Sequence, residues 1–282
     1  IEGFTVRNSG SYWPDAGIEV VSNANNITYN CITNNFYGIR LSPSSNNTIA
    51  NNTVSSNYIG ICIEYSSNNT IANNTITLND CDGIELISSS NNIIANNTVS
   101  SDNYEGIHLG DSRSNIIVNN TISNNGWDGI SLWDSSSNTI ANNTFYLNGM
   151  YVFNSYNNAV TNNMVSGKPL VYLEDMNNYV VENAGQVIAI NSNNITVENL
   201  SLSYATVGVE FWNTSNSKII NNTVSSNNRY GIYLCSSSNN NIIANNIVSW
   251  NNWDGIHFSD SSNNTIANNT ILNNGGGIVL YY

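Results

Sequence analysis

The chain is 282 residues long, 40% hydrophobic and only 9% charged, with 19 acidic residues against 6 basic ones and a formal net charge of −13. That much apolar material supports a sizeable core and excludes disorder. Basic residues scattered at Arg7, Arg40, Arg113, Lys168, Lys218 and Arg229 form no patch that neutralises phosphates, which excludes nucleic acid and anionic membranes as partners.

The chain opens at "IEGFTVRNSG", with no Met and no signal peptide, as expected of a processed protein or a piece of a longer one. No apolar run approaches the roughly 20 residues of a membrane span. From there a Gly-Ile step recurs at Gly38, Gly60, Gly83, Gly106 and Gly129, then at Gly208, Gly231, Gly255 and Gly277, with spacings of 22 to 24 residues inside each block. A sustained period in this range marks a solenoid. The runs "GIRL", "GIEL", "GIHL", "GISL" and "GIHF" alternate as strands do, and Asn, Ser or Gly breaks every segment after a few residues, which disfavours helix and favours turns. The predicted fold is all-β: a parallel β-helix of about 12 coils with about three short strands each. Residues 1–282 form one domain with irregular coils at about 150–207, where "LVYL", "YVVE" and "QVIAI" keep the axis continuous.

Within "GIxL" the Ile and Leu point inward and the residue between them faces solvent. The inward column is Ile39, Ile61, Ile84, Ile107, Ile130, Val209, Ile232, Ile256 and Ile278. Two steps before each Gly runs a column of Phe36, Tyr58, Cys81, Tyr104, Trp127 and Trp253, with Arg229 as the exception. Such rings pack on one another from coil to coil, with sugar stacking as the alternative.

Between the Gly steps stands a phrase such as "SSNNTIANNTVSSN" at 44–57. Five residues separate Ile49 from Val54, so the chain must bend for both to point inward, and Asn tolerates the left-handed backbone of such a corner. One Asn of each pair is predicted to face inward and form an amide ladder: Asn30, Asn52, Asn74, Asn97, Asn120, Asn143, Asn163, Asn222, Asn246 and Asn269. In "TVENLSL" the ladder position is Leu200, which leaves Asn199 outside. The outward Asn often begins an N-x-S/T acceptor, at Asn51, Asn73, Asn96, Asn119, Asn142, Asn199, Asn221 and Asn268, with more at Asn26, Asn46, Asn68, Asn194, Asn213 and Asn263. N-linked glycans are the expected partner in a glycosylating host, although a repeat built on Asn-Asn-Thr also generates acceptors by accident.

The catalytic candidates are Asp82, Glu105 and Asp128, in three successive coils, with His108 beside them. Carboxylates about 5 Å apart can raise one another's pKa, act as acid and base, or hold calcium. The row Glu85, His108, Ser131 has a hydrolase order but no oxyanion hole, so the expectation is a solvated acidic face. Only Arg113 lies near in sequence, which argues against an enzyme of anionic polysaccharides. By repeat count His108 and His257 fall about seven coils apart, on the order of 30 Å, and Cys31, Cys62, Cys81 and Cys235 occupy different repeat positions without a CxxC pair. No cofactor and no metal site is expected, and no disulfide framework emerges.

The phrases "SSNNTIANNTVSSN", "GIHLGDSRSN" and "GKPLVYLEDMNN…NAGQVIAINSNNITVENLSLS" resemble the NosD-type family of right-handed parallel β-helix proteins. The resemblance implies a right-handed coil. It also implies either a periplasmic accessory protein of copper-enzyme maturation or an extracellular module of the archaeal surface-protein kind, and no metal ligands carry over. The expected function is a non-catalytic extracellular or cell-surface glycoprotein, a structural or adhesive solenoid stacking head-to-tail into a fibre through its strand edges. The alternatives are a polysaccharide-active enzyme or carbohydrate-binding module using Asp82, Glu105, Asp128, Trp127 and Trp133, and a copper accessory protein.

Overall fold

A computed structural model describes residues 1–281. Every element is a β-strand, and the chain divides into two compact units, residues 1–144 with 151–161, and residues 145–150 with the segment from 162 onward. Both are wound as a right-handed parallel β-helix, the hand that parallel crossovers adopt.

In the first unit three parallel sheets carry the repeat. The "GIxL" strands Tyr37–Leu41, Ile59–Glu64, Ile84–Ile87, Ile107–Gly110 and Ile130–Trp133 stack in register, Ile39 on Ile61, Ile84, Ile107 and Ile130. A second sheet is built from three-residue strands such as Thr48–Ala50 and Thr70–Ala72, and a third from Thr53–Ser55, Thr75–Thr77 and their successors. The first sheet sends two columns inward, Ile39 to Ile130 and Leu41 to Leu132, and the others one each, Ile49, Ile71, Ile94, Ile117 and Ile140, then Val54, Ile76, Val99 and Ile122, all fully buried. Each such side chain stabilises the fold by roughly 1.5–3 kcal/mol relative to an exposed one.

The bends between these strands are made by single residues in the left-handed region. Asn51, Asn73, Asn96, Asn119 and Asn142 all have φ of 57°. Each following Asn turns inward. Asn30 Nδ2 donates to Asn52 Oδ1, and the same bond repeats through Asn74, Asn97, Asn120 and Asn143, every rung at 3.0 Å. Asn52 Nδ2 also reaches the Ile27 carbonyl of the preceding coil at 2.9 Å, so the buried amide leaves little hydrogen-bonding capacity unused. Two further columns, not singled out from the sequence, do the same: Asn47, Asn69, Asn92, Asn115 and Asn138 in the "SSNN" turn, and Asn35, Asn57 and Asn79 before the aromatic position.

The second unit repeats this scheme with Val209, Ile232 and Ile256 buried beside Phe211, Leu234 and Phe258. Asn222 donates to Asn246 at 3.1 Å and Asn246 to Asn269 at 2.9 Å, while Asn163 is buried. At Leu200 the ladder side chain is apolar and packs on the core, and its backbone N–H still donates to Asn222 Oδ1 at 2.9 Å. Ile278, expected in the inward column, is instead 47% exposed in the final strand Gly276–Tyr281. The irregularity near residue 165 has a local cause. Met164–Val165 pairs antiparallel with Lys168–Glu174 across Ser166 (φ 48°) and Gly167 (φ 83°), a two-residue turn with both central residues at positive φ.

Candidate functional site

Asp82, Glu105 and Asp128 each stand immediately before the Gly that opens a "GIxL" strand, one coil apart. They are 5%, 7% and 0% exposed, which corrects the expectation of a solvated acidic face. Strict alternation would set each of them on the side of the Ile two residues on, and their row continues that of Tyr37 and Ile59, the register partners that precede Gly38 and Gly60. In those preceding coils Tyr37, Ile59 and Cys62 form an apolar cluster, with Phe36 and Cys81 packed against it. The residue between Ile and Leu, expected in solvent, is likewise buried at Cys62 and Ser131 and half-buried at Glu85 and His108. Asp82 Oδ1 accepts the Glu105 backbone N–H at 3.1 Å. Burial pushes the Asp82 carboxyl up to about 6, partly offset by its hydrogen bonds with Glu105.

Glu85, His108 and Ser131 are register partners on adjacent strands. They do not make a nucleophilic relay. Ser131 is fully buried, and its Oγ accepts the Trp133 indole N–H at 2.8 Å. Glu85 instead faces Cys62, whose thiol donates to Glu85 Oε2 at 3.3 Å, and burial raises both groups. Of the nearby arginines, Arg40 is bound to Glu19 at 2.9 Å and Glu64 at 2.7 Å, and Arg113 lies 3.7 Å from Asp111.

The aromatic column flanks this row. Phe36 and Tyr58 stack with centroids 4.7 Å apart and planes 25° from parallel, and Tyr104 and Trp127 lie 4.5 Å apart with planes tilted by 44°. Between the pairs the column holds Cys81, a thiol that burial and Asp82 push up to about 12. Tyr58, Tyr104 and Trp127 each keep more than a third of their surface exposed. A cavity of about 460 Å3 opens beside the first pair, lined by Gly10, Ser11, Asn34, Asn35, Phe36, Ser56, Tyr58 and Asp80.

In the second unit the column position of Arg229 is explained by Trp253, whose ring lies 4.9 Å from the guanidinium carbon. Here the structure also joins two residues that the sequence reading left apart: His257 Nδ1 is 2.7 Å from Asp254 Oδ2, with the Tyr230 ring 4.7 Å from the imidazole. The signal was "WDGIH", in which Asp and His hold the repeat positions of Glu105 and His108.

All fourteen acceptor asparagines are exposed. In each corner pair such as Asn51–Asn52 the first side chain makes no hydrogen bond among the described residues, whereas the second is fully engaged. The four cysteines are free thiols, Cys31 exposed and Cys62 and Cys235 buried. Among the described residues no three His, Cys, Asp or Glu side chains gather as a ligand set, and no helix is long and apolar enough to cross a membrane.

Residues 1–163 match the family described as periplasmic copper-binding protein (NosD), and residues 148–282 match the right-handed beta helix region family. Among solved structures, the A-module of mannuronan C-5 epimerase AlgE6 from Azotobacter vinelandii is similar at 12% identity and a TM-score of 0.54, over 100% of this chain and 89% of that one. The periplasmic alginate epimerase AlgG is 18% identical with a TM-score of 0.35, over 87% of this chain and 50% of its own. The enzymatically active domain of bacteriophage CBA120 tailspike protein 2 is 11% identical with a TM-score of 0.41, over 90% and 42%. The chain thus spans half or less of the last two, and likeness at these identities is one of fold. No curated protein matches the chain.

Proposed function

From a chain that belongs to the NosD family, we propose a β-solenoid of the cell envelope or the extracellular space that binds polysaccharide along the aromatic edge of its first unit. The observation that carries this reading is the two ring pairs, Phe36 stacked on Tyr58 and Tyr104 tilted against Trp127, set on one edge with three of the four rings more than a third exposed. Partly exposed rings at coil spacing offer successive apolar platforms to a linear chain, and their mutual packing removes most of the ordering cost. The family's periplasmic description supports the location. The role is binding, not turnover: the carboxyl row is buried, and its Ser and Cys neighbours are buried and occupied.

Copper does not fit the donors present. Cys62 is a buried thiol bonded to Glu85, His108 and His257 belong to different units, and no ligand set of three gathers among the described residues.

Affinity electrophoresis suits a chain of net charge −13, which migrates toward the anode. Hydroxyethylcellulose, glucomannan or glycol chitin in the gel is expected to retard the protein, and a Tyr104→Ala/Trp127→Ala double variant of unchanged circular dichroism is expected to run freely. Absence of retardation by all three polymers and by alginate overturns the reading.

A second reading, compatible with the first, rests on the acceptor asparagines: the solenoid carries N-linked glycans on its corners, because the first Asn of corner pairs such as Asn51–Asn52, Asn73–Asn74 and Asn96–Asn97 is exposed while the second is buried.

A further inference from the structure

We propose that the cavity beside Phe36 and Tyr58 is a subsite for one uncharged sugar ring, at the end of the aromatic edge nearest residue 10; this rests on the polysaccharide-binding reading above. Its volume, about 460 Å3, falls in the range of small-molecule sites. Its lining is mixed in the way a sugar ring requires. The stacked Phe36 and Tyr58 rings give an apolar wall for the C–H face. Ser11, Asn34, Ser56 and Asp80, all exposed, offer hydroxyl, amide and carboxylate groups to the ring hydroxyls.

The walls are preformed. Asn35 is a buried strut whose Oδ1 accepts the Ser9 N–H at 2.9 Å, while its Nδ2 donates to the Thr33 carbonyl and to Asn57 Oδ1, both at 3.0 Å. The loop that supplies Gly10 and Ser11 is pinned at both ends: the Phe36 N–H donates to the Gly10 carbonyl and the Tyr37 N–H to the Asp15 carbonyl, both at 3.0 Å. Gly10 itself has φ of 139°, and a side chain there would strike Asp15. The same loop carries Tyr12 and Trp13, 78% and 68% exposed, two further rings available to an incoming glycan.

Charge selects the class of sugar. The lining contains the Asp80 carboxyl and no basic side chain, so a uronate or sulfated ring meets only like charge, whereas neutral vicinal hydroxyls can donate to the carboxylate.

Titration calorimetry of the full chain with cellotetraose, N-acetylchitotetraose and tetragalacturonate tests this. Binding of at least one neutral tetrasaccharide and none of tetragalacturonate is expected. Tyr58→Ala is expected to weaken the neutral ligand at least tenfold. Asp80→Lys, a change at an exposed position that leaves the fold intact, is expected to weaken it and to admit tetragalacturonate. Unchanged affinity in both variants, with polymer retardation intact, overturns the subsite and leaves the aromatic-edge reading standing. Loss of polymer retardation in the unaltered chain overturns that reading instead.

Discussion

Asp102 sets a carboxyl oxygen against Gly83 at the place where the other rungs of its column set an amide nitrogen. Gly17, Gly38, Gly60 and Gly106 face Nδ2 of Asn35, Asn57, Asn79 and Asn125, whereas Gly83 faces Oδ2 of Asp102. Asp102 Oδ1 keeps its rung bonds, accepting the backbone N–H and Nδ2 of Asn79, both at 2.8 Å. Its Oδ2 is buried without a hydrogen-bond partner. In neighbouring rungs this position donates to carbonyl oxygens and to the next Oδ1, as Asn57 does to Ser55 and Asn79. A carboxylate has nothing to donate there, and a protonated carboxyl does.

Stability is therefore expected to fall with rising pH. Burial pushes Asp102 up to about 7, against 3.8 for an ordinary Asp. With the folded value raised, the contribution is complete below about pH 4 and lost as pH climbs through 7. The Asp82 carboxyl, pushed up to about 6, adds in the same direction. Asp102→Asn should leave the denaturation midpoint near pH 4 almost unchanged and stabilise the chain at pH 8 by about 2 kcal/mol. Equal midpoints for variant and parent across that range would refute the assignment.

The two members of a corner pair should respond in opposite ways to truncation. Asn97 accepts from the backbone N–H and Nδ2 of Asn74 at 2.9 and 3.0 Å and donates to the Ile71 carbonyl and Asn120 Oδ1 at 2.9 and 3.0 Å. Asn97→Ala strips those partners in a buried site and should cost about 3 kcal/mol or more. Asn96 is exposed at φ 57°, a conformation that glycine adopts freely, so Asn96→Gly should change stability by less than about 1 kcal/mol. Urea denaturation of the two single variants distinguishes them.

Much of this architecture is legible in the letters, because period, corner and inward column are each written by a residue type that has few other uses at that position. Ile at "GIxL" marks the core in every coil before the final strand, where Ile278 is exposed, and an Asn pair at an odd spacing marks a bend. The burial of Asp82, Glu105 and Asp128 is not written there: carboxyl groups favour solvent, yet these three continue the buried row that Tyr37 and Ile59 begin. The cavity is equally hidden, since the loop bearing Gly10 and Ser11 precedes the first regular repeat. Asp102 is visible as one changed letter, "VSSD" at 99–102 for "VSSN" at 54–57, but its meaning depends on the buried surroundings of its second oxygen.

The four thiols should sort by burial. Cys62 and Cys235 are 0% and 2% exposed, and burial holds both well above the ordinary thiol range. Cys81 is pushed up to about 12. Cys31 is exposed. With Ellman's reagent at pH 8, one thiol should react promptly and three only after denaturant is added. Prompt release of two or more equivalents from the folded chain would contradict the packing of the outer face.

Occupancy of the corner acceptors should obey both chemistry and spacing. Asn51, Asn73, Asn96, Asn119 and Asn142 stand in successive coils whose following strands pair in register, Thr53 on Thr75 and Thr75 on Thr98. Paired strands lie about 4.8 Å apart, less than the width of one glycan core, so glycans on adjacent coils exclude one another and no single chain should carry all five. Asn162 and Asn245 provide built-in controls. They share the left-handed corner, at φ of 55° and 57°, but are followed two residues on by Met164 and Ile247 in place of Thr. Expression in an N-glycosylating eukaryotic host, followed by glycopeptide mapping, should show partial occupancy at the five corner acceptors, none at Asn162 or Asn245, and none at the buried Asn52, Asn74 or Asn97. An unmodified intact mass from that host would remove glycan attachment from the account of this surface, and full occupancy of all five would show that the coil spacing imposes no exclusion.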